Sequence, residues 1–312
     1  MFEIPDEKIL IDSLVNSIQK AISYLGINYP SWFISGVTGL GARFSLSMNV
    51  KTGKEIGHPS SNFIWDIIST AENCFSDLGI DWKLYLGQLH STNARNTSAQ
   101  SSRKLSSRVV LIDNIDDIEL NGPLIIANPN GEWEYYVENL DDTDIDENKL
   151  PFGYVILQIN SVDENIDIYH FPKSTLQYLI HTLERGEEPM EIIGIGNYSA
   201  VSGWKAFARW MQALSLPIEE IKHPNLEKII QLLHIRRSEN SIYWDNLSKN
   251  LINIKEKDFA IALSEIYTRV ASKFIDNDTH KYYSFTQSKE IYFLEQETLP
   301  IYKNINSYLK NL

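Results

Sequence analysis

The residues of this chain with the makings of chemistry are few and widely spaced. Thr38-Gly39 stands early, in the stretch Trp32-Phe-Ile-Ser-Gly-Val-Thr-Gly-Leu-Gly-Ala-Arg-Phe-Ser-Leu46. The spacing there predicts a loop entering a short, glycine-interrupted helix over 36–48. A hydroxyl at such a helix N-terminus gains from unpaired backbone N–H groups and the helix dipole, which stabilise developing negative charge. The glycine beside it lets a substrate approach closely. A threonine before a helical run also serves as an N-cap, and a threonine hydroxyl is a poor nucleophile without a nearby base. The residues alone leave both roles open. His90 ends an expected strand, Asp81–Gly87, ahead of a polar stretch rich in Ser, Asn and Arg. That place suits either a functional imidazole or an ordinary surface histidine.

Other patterns carry less. Cys74 falls on the apolar side of an expected helix over 62–78, where a thiol behaves as an inert small hydrophobe. The run Asp141-Asp-Thr-Asp-Ile-Asp-Glu147 invites a calcium reading. An EF-hand loop starting at Asp142 needs glycine at its sixth position, however, and Glu147 stands there. A solvated acidic turn accounts for it. Gly194-Ile-Gly196 lacks the third glycine of a dinucleotide loop and reads as a bend. Ser101-Ser-Arg-Lys104 has no companion motif and reads as chance. No two histidines have a metal-binding spacing, so neither a metal nor another cofactor is expected.

The 312 residues are 43% hydrophobic and 22% charged, enough for one large core or two modest ones. A net charge of −13 sets the surface against nucleic acid and anionic membrane as partners. With one cysteine no intramolecular disulfide can form. The acidic start Met1-Phe-Glu-Ile-Pro-Asp-Glu-Lys8 has no signal-peptide core, and no apolar run is long enough to span a bilayer. A cytoplasmic location is the expectation from these features.

The elements that must position these residues follow from periodicity. Helical spacing covers 6–25, 62–78, 172–185 and 198–214, the last rich in aromatics (Trp204, Phe207, Trp210). A further helix is expected near 107–118. Short strands are expected at 124–127, 132–138, 153–160 and 165–170, forming an antiparallel sheet. Beyond Leu216-Pro217 the helical stretches 225–251, 257–274 and 283–311 follow without a strand signal. The expected organisation is an α+β body over 1–216 and an α-helical C-terminal region over 217–312.

Several short blocks in order resemble one bacterial group. They are Gly36-Val-Thr-Gly-Leu-Gly-Ala-Arg-Phe44, Gly122-Pro-Leu-Ile-Ile126, Glu132-Trp-Glu-Tyr-Tyr-Val-Glu-Asn-Leu-Asp-Asp142 and Gly203-Trp-Lys-Ala-Phe-Ala-Arg-Trp210. Together they are similar to papain-like, bacteriocin-peptidase-like proteins related to the N-terminal domain of butirosin biosynthesis protein H, over roughly 30–215. The resemblance implies a papain-like α+β fold. In active members a cysteine precedes the glycine of the first block and a histidine opens the central hairpin strand, and thiolate and imidazole attack an acyl carbonyl. Here the cysteine position falls on Thr38 and the histidine position on or beside Trp133-Glu134, so both reactive groups are replaced.

That resemblance implies first a non-peptidase member of the fold, binding a small metabolite or peptide in a degenerate cleft. Gly36, Gly39, Arg43 and Trp133 would line it. It implies, as a second reading, an acyltransferase or amide-forming enzyme of specialised metabolism. Thr38, Glu134 and His90 would then be the catalytic candidates and a carrier-protein-bound acyl group a possible substrate. A third reading is an interaction protein that forms a homodimer through its helical part, with 198–214 as the face.

Overall fold

A computed structural model describes residues 12–43, 45–49, 64–86, 107–112, 122–127, 133–136, 155–185, 187–192, 196–202, 226–274 and 285–311. Within these the chain is α+β, with helices packed on two small sheets. Helix α1 (Ser13–Tyr24) is capped by Asp12, whose Oδ1 accepts from the N–H groups of Leu14 and Val15. Its apolar face, Leu14, Val15, Ile18, Ala21 and Ile22, is buried. Helix α2 (Ser31–Val37) starts after Pro30 and ends at Thr38. Helix α3 (Ile64–Cys74) runs into a 3₁₀ turn, Phe75–Leu78, that stops at Gly79. Gly79 has φ +61°, the left-handed conformation in which glycine carries no Cβ penalty.

Five strands form the main sheet: β2 (Ile80–Leu86), β3 (Val109–Leu111), β4 (Leu124–Ala127), β5 (Trp133–Tyr136) and β6 (Val155–Val162). Their order is β3-β2-β6-β4-β5, antiparallel except for the β2/β3 pair. Strands β4 and β5 form the expected hairpin, with Ile126 opposite Glu134 and Ala127 opposite Trp133. A second sheet joins β1 (Ser45–Asn49), β8 (Gly196–Ser202) and β7 (Glu187–Ile192), in the order β1-β8-β7. Helix α4 (Lys173–Arg185) follows the main sheet, and α5 (Leu226–Asn250), α6 (Ile254–Phe274) and α7 (Phe285–Lys310) close the chain.

One buried apolar cluster takes in α1, α2, the Leu84, Leu157 and Ile159 face of the main sheet, Leu176 and Leu179 of α4, and Tyr243, Trp244, Tyr267 and Tyr302 of the last three helices. The boundary expected near 217 lies outside the described residues.

Local structure departs from the sequence reading at four places. The segment 36–48 is not one helix: a helix ends at Thr38 and a strand begins at Ser45. Residues 196–202 form a strand, where a helix over 198–214 was expected, because Tyr198–Ser202 finds ladders on both sides in β1 and β7. Val109–Leu111 is a strand rather than part of a helix near 107–118, and its β-branched valines pair with Leu84 and Tyr85. At 165–170, expected as a strand, Asp163 and Asp167 side chains accept from the N–H groups of Asn165 and Tyr169, giving Asx turns.

Candidate functional site

The block Gly36–Arg43 is buried at every position, and two helices pack onto its glycines. On one side lies α4. Thr175 Oγ1 donates to Val37 O at 2.5 Å, and a Cβ at Gly39 would meet Leu179 and Thr175 at 3.1 Å. Gly39 itself has φ +69°, which a side chain rarely tolerates. On the other side lies α5. A Cβ at Gly36 would fall 2.1 Å from the Tyr243 ring. One at Gly41 would meet Asn240 Cβ at 2.9 Å and the Arg236 carbonyl and Ser35 Oγ at 3.0 Å. The glycines of this block therefore admit neighbouring helices rather than a substrate.

Thr38 is wholly buried and forms the C-cap of α2. Its hydroxyl donates to Ile34 O at 2.7 Å, and its N–H bonds the same carbonyl. The N-cap role expected for it is corrected: the helix lies before Thr38, so the local dipole end is the negative one. That end does not stabilise an alkoxide or an oxyanion. Arg43, also buried, donates through Nη1 to the Tyr178 hydroxyl at 2.9 Å and stacks its guanidinium on that ring at 5.2 Å. Cys74 is a buried free thiol. Burial pushes it up to about 12, although the Arg43 charge and a bond to Thr175 pull it back, so it stays protonated at neutral pH.

Around this block two ion pairs are closed off from water. Arg236 Nε sits 2.5 Å from Asp12 Oδ2, and Arg237 Nε sits 2.5 Å from Glu295 Oε1, with each of the four side chains no more than 2% exposed. Arg237 also donates through Nη1 to the carbonyls of Gly41 (2.7 Å) and Arg43 (3.2 Å). Burial pushes the Glu295 carboxyl up and the Arg237 charge pulls it back. Asp77 caps α4 from outside its own chain segment, accepting from Thr175 N at 2.8 Å and Ser174 N at 3.4 Å. Burial is the largest influence on its carboxyl and raises it. Beside Arg237, the Tyr267 and Tyr302 hydroxyls bond each other at 2.7 Å.

The structure brings Gly36, Thr38, Gly39 and Arg43 together. Glu134 and Trp133 sit on β5 with their backbones paired to β4, and α1 packs against both β5 and α2. The Trp133 and Glu134 side chains lie outside the described residues. So do His90, the run 141–147, Ser101–Lys104 and Gly194. The sequence reading missed Asp12, Arg236, Arg237, Asn240 and Glu295. A signal existed for the α5 members: Leu233, Arg236, Arg237, Asn240, Tyr243, Trp244 and Leu247 fall at core spacing, with charge where apolar residues are expected.

A second polar contact lies between α5 and α6. His234 Nδ1 is 3.0 Å from the Ala271 carbonyl and its Nε2 is 3.5 Å from Ser238 Oγ. The carbonyl fixes the Nδ1–H tautomer and leaves Nε2 as an acceptor. Burial lowers the imidazole's proton affinity, against the bond to Ala271. Ser238 is mid-helix, where backbone N–H groups are committed to the helix and none is left to hold an oxyanion. Among the described residues no group of three His, Cys, Asp or Glu is placed to hold a metal, and no helix is long and apolar enough to cross a membrane.

No family model, curated protein or solved structure matches the chain.

Proposed function

We propose that this protein acts by binding, without covalent catalysis, on a scaffold of papain-like type whose nucleophile position has become part of the core. The carrying observation is the Thr38 hydroxyl: buried, at the C-terminal end of α2, and donating to Ile34 O. A nucleophile needs exposure, a base and donors for the oxyanion, and among the described residues this environment offers none of the three. The β4/β5 hairpin carrying Trp133 and Glu134 supports the scaffold reading; the strand at 45–49, where a helix would follow the nucleophile, weighs against it. A small metabolite or peptide is the ligand class.

Intact-mass analysis after exposure to acyl donors, including carrier-protein thioesters, tests the non-catalytic reading. Wild type and Thr38→Val should both stay unlabelled. A wild-type acyl adduct mapped to Thr38 would overturn the proposal and restore an acyltransferase. Binding itself is read by native mass spectrometry against peptide and metabolite pools.

A second reading has its own observation. Ile252 is 99% and Ile254 77% exposed at the α5–α6 turn, with Ile242 and Ile261 also exposed on those helices. Exposed aliphatic side chains grouped this way favour association through the helical part. Its measure is solution mass by light scattering: a dimer that Ile252→Lys with Ile254→Lys converts to monomer supports it, and a wild-type monomer at high concentration removes it.

A further inference from the structure

We draw no further inference here: the strongest candidate, the exposed aliphatic patch of Ile252 and Ile254 at the α5–α6 turn with Ile242 and Ile261 on the flanking helices, belongs to the association reading already given, and nothing in the structure shows what covers it.

Discussion

Helix α5 is met by two short connections of opposite character. The segment Gly36–Arg43 is buried at every position and is threaded by charge: Arg43, Arg236 and Arg237 all lie inside it or against it. The turn Leu251–Ile254, at the far end of the same helix, puts two isoleucines in water. One place hides guanidinium groups and the other displays aliphatic ones. The difference shows that burial here follows partners rather than side-chain polarity. The arginines are inside because Asp12, Glu295, Tyr178 and the carbonyls of Gly41 and Arg43 receive them. The isoleucines are outside because the turn offers them no neighbour within the described residues.

The strongest attack on that contrast is Arg237→Ala. It leaves Glu295 buried without its cation and the Gly41 and Arg43 carbonyls without that donor, and should cost about 3–5 kcal/mol, read by urea unfolding. A cost near zero would mean that water replaces the pair. Gly36→Ala comes next: its methyl would meet the Tyr243 ring, and repacking should cost roughly 2–3 kcal/mol. A neutral outcome would show that α5 is free to move off α2. Thr38→Val keeps the shape and removes one donor to a carbonyl that also holds the Thr38 N–H. The loss should be about 1 kcal/mol or less, with ligand binding unchanged. Ile252→Lys with Ile254→Lys is the smallest: folding stability should stay within about 0.5 kcal/mol of wild type, whatever happens to the solution mass. A large destabilisation would mean that the turn is covered after all.

The legibility of the molecule varied with the range of the interactions. Helices α3, α4, α5, α6 and α7 and the β4/β5 hairpin follow from local periodicity within a few residues, and α1 does so except at its start, which the Asp12 cap sets at Ser13 rather than at 6. The failures fall where a partner overrides local preference. Tyr198–Ser202 carries residues that suit a helix about as well as a strand, and two neighbouring strands decide it. Thr38 reads equally as the start or the end of a helix. Pro30, at the N-terminus of α2, and the left-handed Gly39 show which end it is, because glycine there closes a helix rather than opening one.

By itself the sequence determined the α+β class, the helical character of the C-terminal third, the inert setting of Cys74, and the unusual density of glycines around Thr38. Those are properties of spacing and composition, which act through a few neighbouring residues. Tertiary structure alone decided what the glycines are for. Gly36, Gly39 and Gly41 lie against Tyr243, Leu179 and Asn240, residues some 140 to 207 positions further along the chain. Whether a missing Cβ opens a cleft or admits a helix depends on those distant side chains, and here they fill the space.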